Sequence, residues 1–149
     1  MDIEKALGRK LPFAKHLGIR LISKGGGKAR LELDVRPELM NSWDAVHGGA
    51  TMTLLDIALA VALRSLDAAE KGAITVELKV NFVGPGLGTL VAEGRCVHAG
   101  KTVAFCEGEV HDTSGKLVAT ASGTFMLRRE RASAASTQAK PVFFIMLSP

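Results

Sequence analysis

A long apolar run between residues 50 and 70 limits the folds that are open to this chain. The run directly follows His47-Gly48-Gly49 and is apolar on nearly every helical face. A helix that is apolar all round must be buried. A chain of 149 residues can bury such a helix by curling a β-sheet around it. The first part of the run, residues 50–60, contains one acid, Asp56, and a lone carboxylate in such surroundings requires a specific role.

The segments on both sides of this run predict short helices and antiparallel strands. Ile3–Leu17 has helical spacing of its apolar residues; Pro12 interrupts that helix or begins a second turn, and Gly18 ends it. We expect the last four of six predicted strands to form an antiparallel meander, and Gly72 to cap the long helix. The predicted strands are residues 19–24, 28–36, 73–83, 89–97, 102–111 and 117–127.

This order of elements predicts an α+β domain in which one curled antiparallel sheet wraps around one long central helix. We assign residues 1–129 to this single domain. Residues 130–149 are then a linker rich in Ala, Ser and Thr, followed by an apolar tail. Because such a tail aggregates when it is exposed, we expect it to pack on a sheet edge or on a neighbouring subunit.

Composition and charge limit the kinds of binding partner and the cellular location that we expect for this chain. The net charge is +4 and aromatic residues make up 5% of the chain, which does not indicate nucleic-acid binding but suits a small anionic ligand. No apolar run has the length of a membrane span, and Met1–Lys5 lacks the apolar core of a secretory signal, so we expect a cytoplasmic protein. Cys96 and Cys106 lie in predicted strands without metal-ligand spacing, and we expect buried free thiols.

The glycines that open the long helix and the acid within it form a pattern suited to carbonyl chemistry. Amides at a helix N-terminus are unsatisfied donors at the positive end of the helix dipole, so they can bind a carbonyl oxygen. Glycine at positions 48 and 49 allows a substrate to approach the backbone closely. Asp56 is then the candidate reactive carboxylate.

Helix geometry separates these groups within one chain. His47 and Asp56 are nine residues apart, which corresponds to about 900° of rotation and about 13 Å along the axis. The two side chains therefore point to roughly opposite sides of the helix. Two antiparallel helices in a two-fold dimer would bring Asp56 of one subunit towards Gly49 of the other. We therefore expect a homodimer with shared active sites, assembled further into a dimer of dimers.

The spacing Asn41-x5-His47-Gly48-Gly49-x6-Asp56 resembles the motif of the hotdog-fold acyl-CoA thioesterases of the phenylacetic-acid-degradation (PaaI-like) type. The order of the predicted elements is similar to that of the same family over most of the chain. The resemblance implies a hotdog fold and the hydrolysis of acyl-CoA thioesters to a free acid and coenzyme A. It implies no metal and no cofactor, since coenzyme A is part of the substrate.

The resemblance also implies catalytic roles. Asp56 would be the nucleophile or the general base, and the Gly49 amide would polarise the thioester carbonyl. Asn41 and His47 would shape that end of the site. Thr75 falls where relatives carry a hydroxyl residue that helps to position the attacking water. Because a general base must be ionised, we expect Thr75 or backbone amides close to Asp56.

Substrate binding is implied for a further set of residues. Lys101 falls where relatives have a basic residue near coenzyme A, and we expect Gly48 and the segment Val83, Gly84 and Pro85 to contact the substrate. Relatives often carry an Arg-Pro pair after the third strand. This chain has Gly84-Pro85 instead, so one expected phosphate contact is missing.

Other interpretations of these residues stay open at this point. Asp56 can be a structural acid paired with Arg64 or Lys79. Asn41 can be a turn residue, and Thr75 can be an ordinary strand threonine. At the level of function, the alternatives are a non-catalytic acyl-CoA binding module and an enoyl-CoA hydratase of the same fold.

Overall fold

The computed structural model describes residues 1–66 and 72–127 of the chain. The predicted linker and tail, together with the boundary placed at residue 129, lie outside these ranges. In chain order the elements are α1 Ile3–Leu7, α2 Pro12–Leu17, β1 Arg20–Gly25, β2 Lys28–Asp34, a 3-10 turn Pro37–Leu39, α3 Gly48–Arg64, β3 Ala73–Phe82, β4 Thr89–Ala99, β5 Val103–Asp112 and β6 Leu117–Leu127.

The strands form one antiparallel sheet in the order β1-β2-β4-β5-β6-β3, and α3 packs across it. This arrangement confirms the predicted α+β architecture. The predicted meander of the last four strands is wrong, because β3 pairs with β6 and β4 pairs with β2. The segment after β3 crosses the end of the sheet instead of turning back. Along it, Gly86 O accepts a hydrogen bond from Val46 N at 3.0 Å, and Gly88 O accepts one from Val35 N at 2.8 Å.

Helix α3 lies close to the sheet because β4 and β5 present glycines to it. A Cβ atom at Gly94 would lie 2.7 Å from the carbonyl oxygen of Ala58, and one at Gly108 would lie 2.9 Å from a methyl group of Leu59. Only glycine fits such a close approach. The α3 side chains that are completely buried are those of Leu54, Leu55, Ala58, Leu59, Ala62 and Leu63.

The opposite face of α3 is less covered than its apolar sequence predicts. Met52 is 43% exposed, and Thr53, Asp56 and Ile57 are only partly buried. The sheet of this chain therefore wraps one side of the helix. The uncovered stripe borders the candidate site described below.

Helix α3 ends at Arg64, earlier than predicted. The hydroxyl of Ser65, the C-cap residue, accepts a hydrogen bond from Gly27 N at 2.8 Å and donates one to Ala62 O at 2.7 Å. The expectation that Gly72 caps this helix is therefore wrong. Ser65 is the C-cap instead, and its hydrogen bond with Gly27 connects this end of the helix to the β1–β2 turn.

The N-terminal segment forms two short helices, and Pro12 begins the second one. Helix α2 ends at Gly18, which has a left-handed φ of 80°. Ala14 and Leu17 on this helix are buried in the core. Among the helices in the described ranges, none combines the length and the apolar character needed to cross a membrane.

The two cysteines lie directly opposite each other on β4 and β5, and both are free thiols. Cys106 is buried, as predicted, whereas Cys96 is only partly buried. Burial, together with the neighbouring Cys96 thiol, raises the pKa of Cys106 to about 12. Cys106 is therefore a protonated core residue at neutral pH.

The close packing of α3 on β4 predicts a large penalty for one added methyl group. We expect Gly94→Ala to lower the free energy of unfolding by about 1–3 kcal/mol, because the new Cβ meets the helix backbone at Ala58. Urea unfolding at a fixed protein concentration measures the change. Ser122→Ala, at an exposed position of β6, is the control and should stay within about 0.5 kcal/mol of wild type. Equal stability of the two variants would contradict the packing described.

Candidate active site

The loop that precedes α3 is held together by Asn41. Its side-chain oxygen accepts hydrogen bonds from Trp43 N at 2.9 Å and Ala45 N at 3.3 Å, and its side-chain nitrogen donates to Val46 O at 3.4 Å. Asp44 in the same loop has a φ of 55°, which Asp tolerates better than most residues. The structure thus shows Asn41 in the turn role that the sequence left open. Its contact with substrate stays a prediction.

His47 caps α3 and occupies one of the amides that were expected to bind substrate. Gly49 N donates a hydrogen bond to Nδ1 of His47 at 2.9 Å. The Gly49 amide therefore already has an acceptor within the protein, and its contact with substrate stays a prediction. The Gly48 N–H, at the first helical position, has no acceptor among the residues that the structure describes. Because Nδ1 accepts a hydrogen bond, a neutral His47 carries its proton on Nε2, and its side chain is exposed.

The segment that follows β3 packs against this start of the helix. The Phe82 ring lies 3.3 Å from the position that a Cβ at Gly48 would occupy. The amides of residues 83 and 84 both donate to Val118 O, at 2.8 and 3.1 Å. The predicted substrate-binding segment 83–85 is thus at the same end of α3 as Gly48. Phe82 had no signal in the sequence, because its contact arises only when the segment crosses the sheet.

The predicted reactive carboxylate, Asp56, accepts a hydrogen bond from the Thr75 hydroxyl at 2.8 Å. This contact depends on a β-bulge between Thr75 and Glu77, which leaves Val76 without a partner on β6. The bulge interrupts the regular alternation of side chains between the two faces of β3. Thr75 now faces α3 together with Leu78, whereas Val76 is 63% exposed.

The charges around Asp56 do not match a structural ion pair. Neither Arg64 nor Lys79 pairs with it, and the ion pairs found within residues 1–66 and 72–127 all involve other acids. The alternative of a structural acid paired with one of these cations is therefore not what the structure shows. Within the same ranges, no group of three or more His, Cys, Asp or Glu side chains is arranged to hold a metal ion.

An open cavity of about 510 Å³ lies beside Asp56. Its walls come from the uncovered stripe of α3, from β3 and from the residues that join α1 to α2. Met52, Ile57 and Leu78 make these walls apolar, while Asp56 and Thr75 supply a polar end. This volume falls within the range of about 300–1,000 Å³ that is typical of small-molecule sites.

A larger groove of about 1010 Å³ crosses the outer face of the sheet. Its charged side chains are largely paired with one another: Arg30 with Glu93 at 3.0 Å, and Arg95 with Glu107. None of the predicted site residues lines this groove. We therefore do not assign the candidate site to this groove, although it is larger than the cavity beside Asp56.

Within one protomer, the start of α3 and the Asp56 carboxylate remain apart. Gly48 and Asp56 are separated by about 12 Å along the axis of an α-helix. The cavity beside Asp56 has no wall from the loop before α3. Lys101 is exposed in the β4–β5 turn and also lies outside this cavity. The start of α3 and the Asp56 cavity, the two candidate half-sites, thus lie apart within one chain, as helix geometry predicts.

Comparisons with known proteins point to one family. Residues 44–119 match the model of the thioesterase superfamily. The chain is 31% identical over 122 residues to human acyl-coenzyme A thioesterase 13, which covers 79% of this chain and 86% of the relative. It is 32% identical over 112 residues to acyl-coenzyme A thioesterase PaaI of Escherichia coli, over 74% of this chain and 78% of the relative. The solved structure of the E. coli PaaI protein from the phenylacetic acid degradation operon matches with a TM-score of 0.77 at 28% identity, over 84% of this chain and 90% of that chain.

A curled antiparallel sheet around one main helix is the hotdog fold, which the solved PaaI structure shares. The chain belongs to the thioesterase superfamily, and within it to the PaaI-like hotdog type. It is therefore a thioester hydrolase, which confirms the class predicted from the sequence.

Proposed function

We propose that this thioester hydrolase cleaves acyl-CoA thioesters into a free acid and coenzyme A. The observation that carries the proposal is the Asp56 carboxylate, held by Thr75 at 2.8 Å beside an apolar cavity. A carboxylate in this position can attack a thioester carbonyl or take a proton from water. The names of the human and E. coli relatives support acyl-CoA as the substrate class.

The Gly48 amide is the oxyanion donor in this proposal. It is the first amide of a 17-residue helix, and it lies at the positive end of the helix dipole. His47 supports it indirectly. By accepting a hydrogen bond from Gly49 through Nδ1, His47 orders the start of the helix and leaves its Nε2–H available to a substrate.

A two-fold dimer completes the proposed site. In the described sheet β3 is an edge strand, and Ile74 and Val76 on it are exposed apolar side chains. Pairing of two β3 edges in an antiparallel sense would also place the two α3 helices antiparallel. Asp56 of one subunit would then approach Gly48 of the other.

The phosphates of coenzyme A need cations at the mouth of the site. Position 84 lacks the arginine that relatives often carry, but the Lys116 amine lies 3.9 Å from the place that a Cβ at Gly84 would occupy. We therefore assign the phosphate contact at this end of the site to Lys116. Lys101 keeps the role that the family resemblance implies, near coenzyme A.

Two routes are open for the attacking group. In the first, Asp56 attacks the thioester carbon, the coenzyme A thiolate leaves, and water hydrolyses the resulting anhydride. In the second, Asp56 takes a proton from water while the water oxygen attacks. In both, Gly48 donates to the oxyanion and the thiolate takes up a proton. A single turnover in heavy-oxygen water separates the routes, since label in the Asp56 carboxylate identifies the first.

Replacement of the carboxylate tests the reaction class. We expect Asp56→Asn to lower kcat for acyl-CoA hydrolysis by about 10²–10⁴-fold, because the amide neither attacks nor takes a proton. Free thiol release from short, medium, long and aromatic acyl-CoAs measures turnover, and calorimetry measures binding. Glu109→Gln, which neutralises an exposed carboxylate on the outer face of the sheet, should keep wild-type activity. Binding without turnover by the wild type would instead favour a binding module, and water addition to an enoyl-CoA would favour a hydratase.

Proline at position 48 removes the proposed oxyanion donor with little change to the helix. The first helical position favours proline, and His47 has a ψ of 135°, which a following proline accepts. We expect Gly48→Pro to lower kcat by about 10²–10³-fold. Gly48→Ala is the control: it adds similar crowding against Phe82 but keeps the N–H, so its loss should be much smaller. Equal losses would assign the effect to crowding rather than to the donor.

Mixed dimers test whether the two half-sites belong to different subunits. Gly48→Pro and Asp56→Asn each inactivate one half-site. After unfolding and refolding as an equal mixture, half of the dimers are mixed, and each mixed dimer has one intact site. We therefore expect recovery of about one quarter of wild-type activity. Recovery that stays at the level of the separate variants would show that both groups act within one subunit.

A further inference from the structure

One side of the cavity beside Asp56 is closed by the elbow at which the chain enters α2. The elbow is defined here as residues 11–13, which are the N-cap of α2 and its first two residues. The opposite wall is formed by Met52 and Ile57 on α3. The hydroxyl groups of two threonines at this cavity donate hydrogen bonds within the protein. Thr53 donates to Gly49 O at 2.8 Å, and Thr75 donates to Asp56. The wall between the elbow and α3 therefore offers mainly apolar contact to a ligand.

The elbow is a fixed wall and not a free loop. Glu4 Oε1 accepts a hydrogen bond from Leu11 N at 2.7 Å, and its other oxygen pairs with Lys15 at 3.2 Å. These bonds lower the pKa of Glu4, chiefly through the Leu11 amide, so that Glu4 stays ionised at neutral pH. At the far end of α2, the Arg36 guanidinium donates to the Leu17 carbonyl at 2.7 Å.

The elbow nevertheless leaves a large apolar side chain in solvent. Phe13 is 60% exposed at the edge of the cavity, facing the stripe of α3 that includes the half-exposed Met52. An apolar group that entered between them would remove both side chains from water. The thioester carbon must lie at Asp56, and the charged coenzyme A must remain near water, so the acyl chain is the part of the substrate that fits here.

We propose that the elbow is the outer wall of the acyl subsite, and that Phe13 and Met52 favour longer apolar acyl chains over short ones. The inference rests on the proposed acyl-CoA hydrolysis and adds its substrate class. Glu4 is a positioning residue that holds the elbow against the chain. An acetyl group has no hydrocarbon chain beyond its methyl to place against this wall, so it should gain little from it.

The test is the dependence of kcat/KM on chain length, measured by thiol release from acetyl-, butyryl-, hexanoyl- and octanoyl-CoA. For the wild type we expect kcat/KM to rise by about two- to fourfold per added methylene. Phe13→Ala and Met52→Ala should each reduce this increment by roughly half. Phe105→Ala is the matched control, because Phe105 is also a half-exposed phenylalanine but lies on β5 outside the cavity.

A second variant tests the elbow without removing apolar surface. Glu4→Gln keeps the size of the side chain but weakens its hold on the Leu11 amide and on Lys15. We expect a loss concentrated in KM for octanoyl-CoA, which lowers the chain-length increment. A purely structural role would lower activity on all chain lengths by the same factor.

The outcomes separate the two proposals. A chain-length increment that is unchanged in Phe13→Ala and Met52→Ala overturns the acyl wall and leaves the proposed hydrolysis intact. Dissociation of a wild-type dimer by Phe13→Ala, seen in sedimentation, also overturns it, since Phe13 would then pack on a second copy. If the wild type releases thiol from none of the acyl-CoAs, the proposed function is wrong, and the proposed acyl subsite is wrong with it.

Discussion

The contact between α3 and β4 is the constraint on which the rest of the structure depends. Gly94 places no side chain between the strand and the helix backbone at Ala58, so the helix lies deep in the curl of the sheet. This depth buries one face of α3 completely and leaves Met52 and Asp56 at its boundary. A carboxylate at that boundary avoids the cost of full burial and still borders an apolar cavity.

The same helix supplies both halves of the proposed chemistry at different points along its length. In its first turn the His47 side chain accepts the Gly49 amide, and the Gly48 amide has no acceptor within residues 1–66 and 72–127. Two turns later, Asp56 is oriented by Thr75 from a bulged edge strand. Because these groups point in different directions, a second subunit is the simplest way to combine them, and the apolar edge of β3 is where it would attach.

The N-terminal helices matter to the proposed substrate as much as to the fold. They contribute Ile3, Ala14 and Leu17 to the core, and they also place the elbow opposite the uncovered stripe of α3. Glu4 couples these two roles, since it binds the backbone of the elbow. In this proposal, the preference for an acyl chain therefore depends on the N-terminal helices and not on the motif around Asp56.

Local patterns in the sequence determined much of this protein: the buried helix, the helical character of the N-terminal segment, all six strands, and the half-turn offset between His47 and Asp56. These features depend on periodicity and spacing, which are properties of neighbouring residues. Tertiary structure alone decided the pairing of β4 with β2, the bulge that turns Thr75 towards Asp56, and the end of α3 at Ser65. It also decided that the Gly49 amide binds His47 and that Lys116 lies beside Gly84. Each of these depends on which distant segments meet, and a contact between distant segments leaves no periodic signal in either one.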